Sequence, residues 1–453
     1  MNAATGTGAL SVPIATTPGR PGFELGMSLS YDSGAGNSPF GLGWSLSVPS
    51  IARKTDKRLP TYDDEQDVFV LSGAEDLVPF VPDRTSSQGD HDVRRYRPRT
   101  EGMFARIERW RDRRNGDVHW RVITKDNVTN VYGRDPSARI CDPARPDDVF
   151  SWLLEETRDD RGNIAQYAYK AEDGRNVPRV VAEDSRFARD DAARFVATAQ
   201  RYVKHVRYGN RTPFVPGNWC FEVVFDYGDH DTSAPTPDES APWPVRLDPF
   251  STYKPGFEVR TYRLCRRVLM FHRFPELSLD PDRTRSFDEL WLDATLVRST
   301  DLTHEPSAVL TYLTSVQQAG YVRDGAGYMR ATLPALDLDY ARRGLHDVSA
   351  ALDEASLEGL ANGFDDATMQ WQDLDGEGLP GLLLTPPGRW FFKPNLGGGK
   401  LGGPDPLRHL PAPAQLVGGL QQLSDVDGDG RLELVSYEQP LAGTSVPRFD
   451  FDP

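Results

Sequence analysis

Cysteine is scarce in this 453-residue chain, and its three cysteines show no recognisable pattern. Cys141, Cys220 and Cys265 are odd in number, widely spaced and without a C-x-x-C pair. Zinc sites and disulfide frameworks are recognised by closely spaced or evenly numbered cysteines, so the sequence argues against both. With so little cysteine, the chain is expected to fold in a reducing cytoplasm.

Long apolar runs and long amphipathic helical patterns are scarce as well. The sequence contains no run of about 18 apolar residues, the length that could span a bilayer. The residues after Met1 lack the basic and apolar regions of a Sec signal peptide. We therefore expect no direct membrane insertion, and we expect export, if it occurs, by another route. The two helical candidates, 351–360 and 187–199, are short.

Acidic residues outnumber basic residues, so the net charge is −15. A nucleic-acid partner held by phosphate neutralisation is therefore not expected for the chain as a whole. The segment 94–114 is a local exception with nine arginines. Glu101, Glu108 and Asp112 interrupt it, so solvated strand faces are favoured there over a nucleic-acid patch.

Glycine and proline are abundant, with 40 and 36 residues, and they separate short apolar segments. In 23–31, apolar residues occupy every second position, which is the period of a half-buried strand. Many short strands between turn residues predict an all-β fold, with residues 1–335 as one continuous β-structure. Further strands are expected at 221–227, 262–271, 308–312 and 336–340, and a hairpin at 156–169.

The segment Gly41-Leu-Gly-Trp-Ser-Leu places two glycines beside Trp44. Glycine has no side chain and reaches positive φ at little cost. These glycines therefore allow Trp44 to approach another backbone closely, and we predict that Trp44 is largely buried.

One pattern occurs twice beyond residue 335. Gln372-Asp-Leu-Asp-Gly-Glu-Gly and Ser424-Asp-Val-Asp-Gly-Asp-Gly each precede an apolar strand, and Asp373 and Asp425 are 52 positions apart. A period of this size, with one turn motif and one strand, is typical of propeller blades. Residues 336–453 are therefore predicted to form the first blades of a propeller. Two blades cannot close a propeller, so we expect either a fragment of a longer protein or a chain whose partner completes the propeller.

The second copy is the strongest metal-site candidate. Clustered carboxylate and carbonyl oxygens suit calcium, and glycines at 428 and 430 permit tight wrapping. Without a cation, the carboxylates of Asp425, Asp427, Asp429 and Glu433 would repel one another. The alternative is a polar β-turn without metal, which is favoured in the first copy because Gly381 stands at its ninth position. The candidate ligands are Asp425, Asp427, Asp429, the carbonyl of Arg431, and Glu433.

Catalytic motifs are missing from the sequence. It contains no G-x-S-x-G, H-E-x-x-H or G-x-x-x-x-G-K-[ST] pattern, and its eight histidines are scattered. We therefore predict no catalytic residues and no enzyme activity for this chain.

Several blocks resemble the SpvB and Tc toxin B-component family over roughly residues 5–340. The resemblance rests on Ser28-Leu-Ser-Tyr-Asp-Ser-Gly-Ala-Gly-Asn-Ser-Pro-Phe-Gly-Leu-Gly-Trp-Ser-Leu, on Asp67-Val-Phe-Val-Leu-Ser-Gly-Ala-Glu-Asp-Leu-Val-Pro, and on the blocks that begin at Phe150 and Tyr262. The two Asp-rich repeats resemble FG-GAP/VCBS propeller repeats. The implied architecture is a large β-sheet shell, of the cocoon kind found in Rhs and Tc proteins, followed by an incomplete β-propeller.

The resemblance also implies a function. A B component joins a C component, which is an Rhs-repeat toxin, into a hollow shell around a toxic segment. Its propeller docks on a pore-forming A component, and the complex acts outside the cell. One alternative is the N-terminal secretion or translocation region of a SpvB-like ADP-ribosylating toxin, whose enzyme domain and Glu-x-Glu pair are absent here. Another is a calcium-stabilised surface adhesin.

Overall fold

The computed structural model divides into two compact units, Met1–Tyr340 and Ala341–Pro453. The division lies five residues beyond the boundary expected at residue 335. The structure describes residues 6–72, 75–80, 85–189, 194–274, 293–325, 327–341, 351–360, 368–374, 376–408, 416, 421–426, 431–436 and 448–449.

The first unit opens with a three-stranded antiparallel sheet. Its strands are β1 (Ala9–Pro13), β2 (Ser28–Asp32) and β3 (Trp44–Leu46). The predicted alternation before β2 is present in the burial of Phe23, Leu25 and Met27. Only the last residues of the predicted strand at 23–31 are paired, as part of β2. The apolar alternation therefore marks a buried segment that is longer than the strand.

The next strands close a ring. The strands of this region are β4 (Ser50–Arg53), β5 (Phe69–Leu71), β6 (Glu75–Pro79), β7 (Ser86–Gln88), β8 (His91–Pro98), β9 (Arg106–Asp112), β10 (Val118–Ile123), β11 (Thr129–Tyr132), β12 (Arg139–Asp142) and β13 (Arg145–Arg158). Eight of them pair antiparallel with the next in the order β4, β5, β6, β8, β9, β10, β11 and β13, and β13 pairs again with β4. β7 pairs with β8, and β12 pairs with β13. Eight strands leave an interior that side chains can fill, and a separate apolar core around Trp120 and Trp152 fills it.

The remaining strands of the first unit are β14 (Ile164–Ala171), β15 (Arg201–Asn210), β16 (Trp219–Asp226), β17 (Phe250–Thr252), β18 (Val259–Thr261), β19 (Arg267–His272), β20 (Thr295–Glu305), β21 (Tyr312–Asp324), β22 (Gly327–Thr332) and β23 (Leu336–Asp337). An open antiparallel sheet continues from β13 through β14, β15, β16, β19, β20 and β21 to β22. β23 also pairs with β21, and β17 and β18 form a separate pair. Residues of the β1–β3 sheet, including Leu29 and Trp44, share one apolar core with this open sheet.

Several predicted strands differ in extent. The strands expected at 308–312 and 336–340 reduce to the first residue of β21 and to β23. The strand expected at 262–271 begins only at Arg267. The five residues before it are mostly buried, but their backbone groups bond to other loops. For example, the amide of Cys265 donates to the Pro39 carbonyl at 2.8 Å. The apolar content of 262–266 thus predicted the burial of most of these residues correctly, but it did not predict that they lie outside a β-strand.

Within the described residues, helix is limited to two 3₁₀ turns, Pro136–Ala138 and Val181–Arg186. Neither is long and apolar enough to cross a membrane. The helix predicted at 187–199 is wrong, because Phe187 and Phe195 form an isolated β-bridge. The helix predicted at 351–360 is a series of turns instead, with Gly359 at a φ of +78° near its end. The all-β prediction is confirmed.

The described part of the second unit contains two larger sheets of related connectivity and one small two-stranded sheet. In each larger sheet an Asp-rich segment joins the first two strands, and both larger sheets contribute to one apolar core that includes Leu383, Trp390 and Leu434. The strands are β24 (Met369–Gln372), β25 (Gly381–Leu384), β26 (Phe391–Lys393), β27 (Asn395–Gly397), β28 (Lys400–Leu401) and β29 (Asp405–Pro406), followed by β30 (Gln421–Ser424), β31 (Glu433–Ser436) and β32 (Arg448–Phe449). Strands β24, β25, β26 and β29 form the first sheet, and β30, β31 and β32 form the second.

The predicted burial of Trp44 is confirmed, because its exposed fraction is 2%. Gly41 and Gly43 have φ values of +109° and +80°. A Cβ at Gly41 would lie 3.3 Å from the Thr311 carbonyl oxygen, so the chain does approach another backbone here. The Trp44 indole donates to the Tyr340 hydroxyl at 2.8 Å.

Candidate functional site

The first Asp-rich segment closes on itself. The Asp373 carboxylate accepts the backbone amides of Glu377 and Gly378, at 3.1 and 2.7 Å. A Cβ at Gly381 would lie 2.7 Å from the Lys393 carbonyl oxygen, which leaves no room for a side chain at the ninth position. Both carboxylate oxygens therefore serve the turn, and packing excludes a closing glutamate.

The second segment keeps its closing carboxylate. Glu433 is 4% exposed, and its carboxylate accepts the Val426 amide at 2.8 Å. Asp425 and Arg431 are described, whereas Asp427 and Asp429 lie outside the described residues. Within the described part of the chain, no three His, Cys, Asp or Glu side chains form a group that could hold a metal. The calcium site at these five residues stays a prediction.

Calcium is expected to raise the unfolding midpoint of the second unit in the full chain. If the loop is a site, saturation at a hundred times Kd adds about 2.7 kcal/mol to the free energy of unfolding. Thermal unfolding with and without calcium measures this shift, and calorimetric titration measures the binding itself, in the wild type and in Asp427→Ala, with Glu377→Ala in the first segment as the matched control. Equal midpoint shifts and equal heats from the wild type and Asp427→Ala would show that the loop is only a turn.

The arginines of 94–114 are largely neutralised inside the protein. Seven of the nine have a carboxylate within ion-pair distance, and Arg97 lies over the ring of Phe80 instead. The exposed members of these pairs agree with the expectation of solvated strand faces, whereas Arg109 and Glu108 are buried, with exposed fractions of 7% and 2%. The pairs are Arg94–Glu65, Arg95–Glu108, Arg99–Asp76, Arg106–Glu108, Arg109–Asp64, Arg113–Asp92 and Arg114–Asp112.

A buried ion pair joins two segments of the first unit. The side chains of Arg263 and Glu172 are both 0% exposed. The Arg263 Nε donates to Glu172 at 2.9 Å, and its Nη1 donates to the carbonyls of Arg175 and Trp243 at 2.9 and 3.0 Å. Tyr202 donates its hydroxyl to the same carboxylate at 3.2 Å. Because these contacts satisfy the charges internally, the pair is a structural anchor.

A second buried group lies around Lys204. Its ammonium donates to Asp229 and to His230 Nε2, both at 2.8 Å. The other ring nitrogen, His230 Nδ1, lies 2.9 Å from the Thr236 carbonyl, which fixes a neutral ring with its proton on Nδ1. Burial, followed by the charge of Lys204, lowers the pKa of His230. Burial alone would raise the pKa of Asp229, but Lys204 outweighs it and the pKa is lowered.

Sequence reasoning missed these buried charges, although β15 carried a signal. Tyr202, Lys204, Val206 and Tyr208 occupy alternate positions of one strand, and all four are buried. In the sequence, a period of two predicts one sheet face for these residues, although the structure has a β-bulge at Lys204. A lysine in step with buried aromatic residues therefore predicts an internal partner, which here is Asp229.

Comparison with known sequences gives consistent matches. A profile of the family described as SpvB, Salmonella virulence plasmid 65kDa B protein, matches residues 2–274. The mono(ADP-ribosyl)transferase SpvB of Salmonella typhimurium is 35% identical over 352 residues, covering 72% of this chain and 55% of that protein. The Salmonella dublin protein of the same name gives the same figures. The chain thus spans about half the length of these relatives.

Solved structures of two kinds are similar. The N-terminal domain of the effector SpvB from Salmonella typhimurium strain LT2 has a TM-score of 0.60 at 34% identity, covering 69% of this chain and 99% of that one. A Tc holotoxin pore from Photorhabdus luminescens has a TM-score of 0.79 at 33% identity, covering 99% of this chain and 21% of that one. The TcdB2–TccC3–Cdc42 crystal structure has a TM-score of 0.75 at 33% identity, covering 94% and 20%. The chain therefore belongs to the SpvB family and shares its fold with a component of Tc toxin complexes.

Proposed function

We propose that the chain is a non-catalytic component of a Tc-type toxin complex. Its first unit forms part of the β-shell that encloses the toxic segment of an Rhs-repeat C component. Its second unit begins the propeller that docks on a pore-forming A component. The protein is made in the bacterial cytoplasm and acts outside the cell as part of this complex.

The extent of the structural matches carries the proposal. The Tc structures cover 94% and 99% of this chain, whereas the SpvB N-terminal domain covers 69% of it while being 99% covered itself. The similarity to Tc structures thus extends over more of this chain than the similarity to that domain does. This difference favours a Tc B component over the N-terminal region of an ADP-ribosylating toxin.

An apolar sheet edge supports assembly with further strands. Among the described strands, β22 pairs only with β21, so its outer backbone groups can pair with a strand from another chain. Val322 and Met329 lie directly opposite each other across β21 and β22, and they are 64% and 59% exposed. Leu333, directly after β22, is 60% exposed. Exposed apolar residues along an open edge favour a shell that continues beyond this unit.

The second unit supports a propeller. Propeller blades are four-stranded antiparallel sheets, and β24, β25, β26 and β29 form such a sheet in sequential order. The sheet of β30, β31 and β32 repeats its first two strands and the Asp-rich connection. Repetition of one unit with a shared apolar core is the arrangement that blades use.

The non-catalytic role rests on the matched region. The SpvB structure that aligns with this chain is the N-terminal domain of that effector. The buried ionic groups around Arg263 and Lys204 bond mainly to their own loops and strands, as structural groups do. The alternative, a translocation region of a SpvB-like toxin, would also be non-catalytic in this part, so partner binding separates the two functions.

The test is co-elution of the full chain with a Tc C component and, separately, with a Tc A component in size-exclusion chromatography. We expect a stable complex with the C component. The edge variant Val322→Asp with Met329→Asp should weaken it about tenfold or more, since burying a charge opposes association. Val181→Asp is the control, because Val181 is 91% exposed and far along the chain from this edge. Absence of binding to both components would contradict the proposal, and NAD-dependent labelling of actin would contradict the non-catalytic role.

A further inference from the structure

A cavity of about 250 Å³ lies at one end of the eight-stranded ring. Four arginines line it: Arg53 on β4, Arg109 and Arg111 on β9, and Arg139 on β12. Arg109 and Arg111 alternate with the buried Ile107 on the same strand, so they continue the inward-facing row toward the mouth. Mouths of closed β-sheets are common places for small ligands.

Two of these arginines are fixed by the protein. The Arg53 guanidinium donates to Asp64 and Asp67 at 2.8 and 2.9 Å. It also lies over the rings of Tyr62, Phe69 and Trp152, with centroid distances of 5.2, 5.1 and 5.6 Å. Arg139 pairs with Asp117 at 3.1 Å. These contacts make a rigid aromatic and cationic floor, and they use the nearby carboxylates.

The other two arginines have donor capacity left over. Arg109 shares Asp64 with Arg53 and is 7% exposed, yet its buried Nε has no hydrogen-bond partner among the described residues. Arg111 is exposed and forms no ion pair with any residue in the described ranges. A buried donor without an acceptor is costly, and two guanidinium groups on one strand face repel each other. A ligand that brings an anionic group would relieve the repulsion between the two guanidinium groups.

Size and charge limit what this ligand is. Pockets for drug-sized ligands run from about 300 to 1,000 Å³, so a cavity of about 250 Å³ holds one small group. Planar guanidinium groups match the two oxygens of a carboxylate. Asp64, Asp117 and Asp147 also line the cavity, and these three carboxylates oppose a group with more than one negative charge. These constraints favour a single carboxylate over a nucleotide or a phosphate.

We propose that this mouth, formed by Arg53, Arg109, Arg111 and Arg139, binds one carboxylate group of a small organic acid or of an acidic side chain in a peptide. Arg111 supplies the free donors, and the buried Arg109 adds positive charge behind it. The aromatic floor excludes water beneath the carboxylate.

Calorimetric titration of the full chain with propionate and with a blocked Gly-Glu-Gly peptide tests the site, at fixed ionic strength. Arg111→Gln should weaken binding about tenfold, as expected for loss of a charge-assisted bond. The control is Arg113→Gln, which removes an arginine that follows the same strand but does not line the cavity. Asp147→Asn should have the opposite effect and tighten binding severalfold.

The two probes separate the sources of the carboxylate. Binding of propionate identifies a site for free acids, and binding of the peptide alone identifies a site for acidic side chains. Absence of saturable binding for both probes would overturn the proposal. So would equal affinity in the wild type and Arg111→Gln, provided that the thermal midpoints of all variants match. Preference for inorganic phosphate over both probes would contradict the assignment to a carboxylate.

Discussion

Replacing Arg263 by Met is expected to lower the free energy of unfolding of the first unit by about 3 to 5 kcal/mol, because it leaves the buried Glu172 carboxylate unpaired. Both side chains are fully buried, and Arg263 also ties together the backbones of Arg175 and Trp243. Chemical denaturation followed by intrinsic fluorescence measures the change. Arg266→Met is the matched control, since Arg266 is exposed and three residues further along.

A double variant separates charge from packing. Arg263→Met with Glu172→Gln removes both charges, so it should recover part of the loss if the unpaired carboxylate is the main cost. A single Arg263→Met variant as stable as Arg266→Met would mean that the ion pair contributes no net stability.

Trp44→Ala is expected to cost about 3 to 5 kcal/mol, as for other large buried side chains replaced by alanine. The indole packs at 5.2 Å from the ring of Tyr31 and bonds to Tyr340. Thermal unfolding measures this loss. Tyr340→Phe removes only the hydroxyl that accepts the indole proton, and should cost about 1 kcal/mol. A Trp44→Ala protein with an unchanged midpoint would contradict the packing role.

Short-range patterns predicted much of the fold. The alternation before β2, the hairpin between β13 and β14, and the apolar strand β25 follow from local period and turn residues. The closure of the ring could not be predicted in this way. It depends on pairing of Ile51 with Trp152, and no local pattern in either segment specifies a partner so far along the chain.

The candidate sites also differ in how far the sequence could predict them. The Asp-rich loops are contiguous motifs, so their positions between two strands could be predicted, although their metal content could not. The arginine mouth joins residues from three strands that are distant in sequence. In the sequence, Arg109 and Arg111 were only part of a charged run, and their inward direction depends on the ring being closed.

The long sequence separation of the closing strands also affects how the ring folds during synthesis. Its closing strands, β4 and β13, pair through residues such as Ile51 and Trp152. At typical synthesis rates, roughly 5 to 20 s pass before the second partner follows the first out of the ribosome. Until then β4 has a free edge, and such distant pairing is intrinsically slow. The nascent chain therefore passes through a stage in which β4 to β11 exist without closure, and chaperones that shield strand edges would act during that interval.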